Sequence, residues 1–476
     1  MAGLAAPALA NAPLTSLRPL PRPGGPRPVR SEADILKSAA LSGTTAYIVT
    51  RRNGQVLAAQ NATTALPPAS VAKAVTALYA MEALGGGYQF STALLGTGPI
   101  ANGVLDGDLI LQGTGDPTLD TDALGALASD LKAAGVTRIT GKFYVDGRAL
   151  PAVEEIDASQ PPQAGYNPAI SGLNLNYNRV HFEWRKTGSD YRLTMDARAT
   201  KFQPRVALSA MRIVPEPYPV YTFSKRADRE QWTVARTALG NGGARWLPVR
   251  SPDAYAGEVF RTLAAHFGVT LPAAQAARGK PRGVVLARLA SPGLQGLCGS
   301  MLKWSTNLTA EVLGLRATQA RGGSPRSLTA SAAAMNAWAR DRYDAPLKLV
   351  DHSGLGHASR VTGKALVSLL NGTSALEPML KSITVRDAKG APVKTPRHVI
   401  RAKTGTLNFV SSLAGYVTPR GGERLTFAII SSDLPRRAAA VKQGDERPSG
   451  SKSFARRARA MQQALIAGWA EAAVDA

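Results

Sequence analysis

Three short motifs carry the chemistry of this chain: Ser70-Val71-Ala72-Lys73, Ser305-Thr306-Asn307 and Lys403-Thr404-Gly405, in that order. A serine hydroxyl is a poor nucleophile until a base takes its proton, and a lysine three residues further along a helix lies beside it. The set therefore supplies the parts for acyl transfer by Ser70 with Lys73, not a histidine, as proton acceptor. An ordinary lysine, with a pKa of about 10.4, is protonated at neutral pH; burial and a second nearby cation both lower it. Lys403 is the expected second cation, and a shift of about three units corresponds to roughly 4 kcal/mol, within reach of a dry cleft.

Each motif alone is weak, because the chain repeats two of them. Ser-x-x-Lys recurs at Ser300/Lys303 and Ser449/Lys452, and Lys-Thr-Gly recurs at Lys186-Thr187-Gly188. Context separates them. Ser70 follows Pro67-Pro68-Ala69 and opens a long helix, read as amphipathic, with Val71, Val75, Leu78 and Met81 at helical spacing. Lys403 ends a strand-like run from His398, whereas Lys186 to Asp190 reads as a hairpin turn. Ser305-Thr306-Asn307 falls between two helical segments.

The elements that must position these groups follow from periodicity. Asn53-Gly54 between two apolar runs predicts a hairpin. From about residue 94 the texture changes to short strands with a helix near 122–134, and a second helix is expected at 254–267. The last third predicts helices near 294–303, 308–320, 327–341 and 362–371, strands at 398–404, 411–418 and 424–431, and a closing helix at 454–472. Leu434 to Lys452 reads as a mobile basic loop. The early hairpin and helix with the late strands give one antiparallel sheet wrapped by helices, into which the β-rich middle is inserted. Ser70 and Ser305 are 235 positions apart, room for one or two inserted domains, and Ser305 and Lys403 are 98 apart.

Composition excludes little. Hydrophobic residues make 44% and charged residues 19% of the chain, ordinary for a globular protein, but 57 Lys and Arg against 33 Asp and Glu leave a net charge of +24. That field attracts polyanions such as nucleic acid, anionic lipid or an acidic wall polymer. Cys298 is the single cysteine, expected as a buried structural thiol. The five histidines show no His-Glu-x-x-His or Cys/His ligand spacing, so neither metal nor cofactor is expected. There is no Gly-x-Ser-x-Gly elbow for a Ser-His-Asp hydrolase. A serine β-lactamase shares the motifs but usually lacks so large an insertion. A non-catalytic basic wall- or nucleic-acid-binding protein is the remaining rival, and the complete motif set argues against it.

Beyond the triplets, Pro68-Ala69-Ser70, Gly107-Asp108-Leu109, Gly115 to Leu119, Asn307 to Glu311, Ser353-Gly354-Leu355, Arg360-Val361-Thr362 and Ala402 to Val417 share one pattern. On these the chain resembles the D-alanyl-D-alanine carboxypeptidase/endopeptidase group of class C penicillin-binding proteins, from about residue 31 to 472. The resemblance implies an α/β (α+β) fold: a transpeptidase-like domain of antiparallel sheet and helices, 31–93 and 283–476, interrupted by an inserted domain, 94–160 and 235–282, with a nested β-rich domain, 161–234. It implies peptidoglycan stem peptides as substrate, covalent inhibition by β-lactams at Ser70 and no nucleic-acid partner; no stretch approaches 18 uninterrupted apolar residues, so no membrane span is expected. Ser305 would relay a proton to the leaving amine, and Asn307 would orient Lys73 and the substrate amide. Thr404, Gly405 and Thr406, with Lys403, would bind the terminal carboxylate, and the backbone N–H groups of Ser70 and Thr406 would form the oxyanion hole. Asp146 matches a family carboxylate position that would bind the free amine of a diaminopimelate side chain. Two departures stand out: Thr306 replaces the usual Asp, and His352 stands where the pattern has Gly, expected to narrow the cleft. Residues 1–12 end in Ala10-Asn11-Ala12, a cleavage-site pattern, and 13–30 form a Pro/Arg-rich leader; they read as the remnant of a secretory signal to the periplasm.

Overall fold

A computed structural model describes residues 30–226, 229–279, 282–387 and 389–474. The expected signal remnant falls outside these, and of the leader only Arg30 is described.

The part of the chain that holds the three motifs is a six-stranded antiparallel sheet between two helical layers. Its strand order is Lys381–Ile383, His398–Leu407, Val410–Pro419, Leu425–Ser432, Thr44–Thr50 and Val56–Gln60. Alternation decides which layer each side chain meets. Ala46, Ile48, Ala414, Tyr416, Ala428 and Ile430 face the layer holding the Ser70 helix. Tyr47, Val49, Leu413, Val417, Phe427 and Ile429 face the terminal helix Ser451–Ala472, which presents Met461, Leu465 and Trp469 at helical spacing.

The Ser70 helix runs over Ala72–Leu84 after a short 3₁₀ turn at Ala69–Val71. It is not amphipathic as the sequence suggests: every residue from Ala72 to Ala80 is buried. Helices Leu294–Trp304, Asn307–Ala320 and Leu328–Tyr343 pack around it, so no face of its first nine residues is left to solvent. A second correction concerns the segment read as a mobile loop. Leu434–Gln443 is a helix, capped by the Asp433 side chain on the Arg436 N–H, with Pro435 in its first turn.

The insertion has its own sheet, ordered Ala274–Ala276, Phe143–Asp146, Leu109–Gly113, Ser91–Gly96 and Val284–Ala290, with helices Thr121–Ala133 and Pro252–His266 packed against it. Lys186 to Asp190 is the hairpin turn expected, between strands Arg179–Thr187 and Asp190–Asp196. Buried side chains from Leu94 to Ala287 form one cluster, including Val180, Phe182 and Trp232 of the segment expected to nest as a separate domain. The chain enters and leaves the insertion side by side: Phe90 N–H donates to Ser291 Oγ at 2.9 Å and Ser291 N–H to the Phe90 carbonyl at 2.9 Å. We propose that the domain junctions lie at this pair, outside the boundaries at 94 and 282 expected from the sequence.

Candidate active site

The Ser70 turn is set by close backbone packing. Ala69 has φ of 47° and Ser305, capping the helix Leu294–Trp304, has φ of 62°, both left-handed without being glycine. Such residues cost of order 1–3 kcal/mol each and gather at functional sites. Two glycines let neighbouring backbones reach this turn. A Cβ on Gly405 would lie 2.8 Å from the Pro68 carbonyl oxygen, and one on Gly354 would lie 2.0 Å from that of Ala69. The Gly of Lys-Thr-Gly therefore lets the Lys403 strand close against the Ser70 turn.

Lys73 is fully buried and Lys403 is 1% exposed. Lys73 Nζ donates to Ser70 Oγ at 2.9 Å, to Asn307 Oδ1 at 2.7 Å and to the Ser353 carbonyl at 2.8 Å. Lys403 Nζ donates to Ser305 Oγ at 3.0 Å and to the Thr404 carbonyl at 2.7 Å. Burial pulls Lys73 down to about 8, against the carboxylates of Asp351 and Glu311, which raise it. Burial pulls Lys403 down further, to about 6, helped by Lys73 and Lys381. Two ammonium groups in one dry pocket oppose each other, so near neutral pH the pair holds fewer than two protons.

Strand Lys381–Ile383 pairs only with Ile400, Arg401 and Ala402, leaving the outer edge of the Lys403 strand open from Lys403 to Leu407. An open edge beside a nucleophile is a template for an extended peptide. Ser70, Ser305, Asn307 and Thr406 line a common cavity of about 680 Å³. Thr404 is exposed on the same strand and Gly405 is buried beneath it.

The sequence did not reveal what the insertion contributes. Ser159, Gln160 and Tyr166 line the same cavity, and the Tyr166 carbonyl accepts from Asn307 Nδ2 at 2.8 Å. Arg245 of the insertion meets Glu446 at 2.9 Å, tying that flap to the segment after the helix Leu434–Gln443. Nothing in residue type or spacing signals these contacts, because a backbone carbonyl and a surface ion pair have no motif.

Two expectations are corrected. Asp146 does not line the cavity: its carboxylate pairs with Arg148 at 2.7 Å and accepts from Gln112. Burial pushes this carboxyl up, but the hydrogen bonds and charge of Arg148 outweigh burial and hold it below the ordinary range. Its strand belongs to the insertion's sheet, which aims it at its own sequence neighbour. His352 does not narrow the cleft either. Its ring is fully buried among helices, bonded to Glu311 and Ser331. The decoys stay apart from the chemistry: Ser300 and Lys303 are exposed, as are Ser449 and Lys452, although Lys452 reaches the cavity rim. Cys298 is buried and its thiol is pushed up to about 12, which leaves it inert.

Among curated relatives, a D-alanyl-D-alanine carboxypeptidase of an Actinomadura species is 28% identical over 469 residues, covering 90% of this chain and 84% of its own. D-alanyl-D-alanine carboxypeptidase DacB of Haemophilus influenzae is 26% identical over 407 residues, covering 78% of this chain and 82% of its own. The crystal structure of penicillin binding protein 4 (dacB) from Haemophilus influenzae superposes with a TM-score of 0.74 at 23% identity, covering 92% of this chain and 99% of that one. It shares the fold: a penicillin-binding domain with inserted domains. No helix among the described residues is long and apolar enough to cross a membrane. Residues 31–448 match the D-Ala-D-Ala carboxypeptidase 3 (S13) family throughout, and the chain belongs to that family.

Proposed function

We propose that this chain is a serine D-alanyl-D-alanine carboxypeptidase/endopeptidase of peptidoglycan stem peptides, working through an acyl-enzyme on Ser70. The observation that carries the assignment of roles is Lys73 Nζ, buried and in hydrogen-bond contact with Ser70 Oγ and Asn307 Oδ1, with its pKa pulled towards neutrality.

The substrate's D-alanyl end lies along the open edge of the Lys403 strand, with its terminal carboxylate at Lys403, Thr404 and Thr406. That carboxylate favours the protonated form of Lys403, and a charged Lys403 pushes Lys73 towards its neutral amine. Neutral Lys73 then takes the Ser70 proton as Oγ attacks the penultimate D-alanine carbonyl. The oxyanion rests on the backbone N–H groups of Ser70 and Thr406, an arrangement worth about 10²–10³ in rate per donor. As the C–N bond breaks, the Lys73 proton passes through Ser305 to the departing D-alanine amine. Water attacks the ester by the same route, and Ser70 regains its proton. A β-lactam enters as a mimic of the D-alanyl end and stops at the acyl-enzyme. A peptidase acting on peptidoglycan meets its substrate outside the cytoplasmic membrane, so a periplasmic site of action is part of the same reading.

Labelling with a fluorescent penicillin, followed by mass mapping of the adduct, tests this. The label is expected on Ser70 and absent from Ser70→Ala. Muropeptide digests are expected to lose D-alanine or split cross-links. A label that survives Ser70→Ala overturns the mechanism, and labelling without any peptide cleavage overturns the enzyme assignment.

A further inference from the structure

Behind Lys73, on the side away from the cleft, lies a hydrogen-bonded carboxylate–imidazole pair that the acyl-transfer scheme does not use. Glu311 and His352 are both fully buried, with Glu311 Oε2 2.9 Å from His352 Nδ1. The same oxygen accepts the His352 backbone N–H at 2.9 Å, and Oε1 accepts that of Ser353 at 2.9 Å. A carboxylate is acceptor-only, so Nδ1 carries the proton. One side chain therefore gathers three donors from two consecutive residues, and the carbonyl of the second, Ser353, receives Lys73 Nζ at 2.8 Å.

The surroundings are built around this pair. Glu311 stands one helical turn after Asn307, so a single helix holds both the Lys73 acceptor and the clamp on Ser353. The imidazole occupies space that only a glycine opposite allows: a Cβ on Gly314 would lie 2.0 Å from His352 Cδ2. His352 Nε2 meets Ser331 Oγ at 3.0 Å, which in turn meets Thr318 Oγ1 at 2.7 Å, and Tyr79 OH closes the chain at 3.1 Å. Thr76 Oγ1 donates to the His352 carbonyl at 2.6 Å. Asp351 accepts the N–H groups of Gly354 and Gly356, bracing the loop from its other end. The charged or titratable groups around the pair are thus Lys73 and Tyr79 from the Ser70 helix and Asp351 from the loop. Lys403 lies beyond Lys73, and the helix Leu328–Tyr343 contributes only the neutral Ser331.

We propose that Glu311 and His352 form a positioning pair for the general base: they lock the Ser353 carbonyl, and through it hold Lys73 Nζ at hydrogen-bond distance from the Ser70 hydroxyl. Glu311 also places a fixed negative charge behind Lys73 that balances the cation in a dry pocket. Replacing Glu311 by Gln leaves two acceptor sites to become one, and at least one of the three N–H donors loses its partner. The loop then shifts, and a displacement of about 1 Å in a reacting group costs up to about a hundredfold in rate.

This inference rests on Lys73 being the base for Ser70. The test is the first-order acylation constant at saturating benzylpenicillin, measured from pH 6 to 9 on wild type, Glu311→Gln, His352→Leu and His352→Asn. A first-order constant is read on folded molecules only, so partial unfolding lowers the amplitude and not the rate. Glu311→Gln is expected to slow acylation at least tenfold at high pH. It should also move the acid limb to lower pH by about half a unit or more, because loss of the anion destabilises the ammonium of Lys73. His352→Leu is expected to slow it at least tenfold, while His352→Asn, whose Nδ2 can replace Nδ1 as donor to Glu311, stays within about threefold of wild type. Constants within twofold of wild type for both Glu311→Gln and His352→Leu overturn the proposal, as does an acid limb that does not move in Glu311→Gln. Failure of the wild type to label at Ser70 overturns the functional reading instead.

Discussion

Because Lys73 has to be neutral to accept the Ser70 proton, the rate of acylation should follow its titration. With Lys73 at about 8, roughly one molecule in ten carries the free base at pH 7, about one in a hundred at pH 6 and about nine in ten at pH 9. Acylation at saturating benzylpenicillin, where the ligand carboxylate stays seated at Lys403, should therefore rise about tenfold from pH 7 to 9 and level off. Below pH 7 the fall should be shallower. Asp351, held by burial and by the nearby Glu311 at about 7, loses its charge in that range and no longer raises Lys73. From pH 7 to 6 the drop is then less than the roughly tenfold that Lys73 alone would give. Rapid-quench labelling across pH 6–9 reads this directly. A flat profile refutes the role of Lys73 as the base, and an acid limb with its midpoint near 10 refutes the claim that the pocket has lowered it.

Three further outcomes are expected. Gly405→Ala should abolish acylation by about a hundredfold or more and destabilise the fold by about 1–3 kcal/mol, because its Cβ would press on Pro68, Ala69 and Ser412; labelling rate and thermal melting check both. Gly314→Ala should destabilise by at least about 1–3 kcal/mol, because the His352 ring it would strike has nowhere to go, and Gly314→Ala with His352→Gly should recover part of the loss in a melting experiment. Asp146→Asn should leave KM for stem peptides with a free diaminopimelate amine within about twofold of wild type, with a stability change of about 0–1 kcal/mol from the half-exposed Arg148 pair; a selective rise in KM would restore the sequence-based expectation.

Side-chain chemistry was legible in the sequence where it is local, and hidden where it depends on folding. Ser70 and Lys73 are neighbours on one turn, so their contact follows from spacing alone. Lys403 could be told from Lys186 because strand context differs. The insertion was announced by the gap between Ser70 and Ser305, although its shared core was not, since periodicity says which face is apolar but not which sheet it meets. The helix at Leu434–Gln443 had readable signals in Asp433 and Pro435, which the basic composition of the segment overrode. Asp146 matched a pattern position but found a partner two residues away, a contact more local than any ligand. His352 could be noticed only as a departure from pattern; its meaning needs Gly314 and Glu311, dozens of residues distant. The Tyr166 and Ser353 carbonyls, being backbone, leave no trace in residue type.

The pairing of Thr44–Thr50 with Leu425–Ser432 has a consequence in time. A chain emerging N-terminus first exposes the Ser70 segment early, but the strand that completes its sheet appears only long after it. Between the two, the insertion can close its own core, since nearly all its strand partners lie within it. The catalytic half must wait for contacts of very long sequence separation, which form slowly. Lys403 arrives only with those later strands, so the serine stays unassembled as a nucleophile until they have been made. Assembly of the site is thereby coupled to synthesis of both parts of that sheet, and a product that stops before Lys403 would carry the serine without the chemistry.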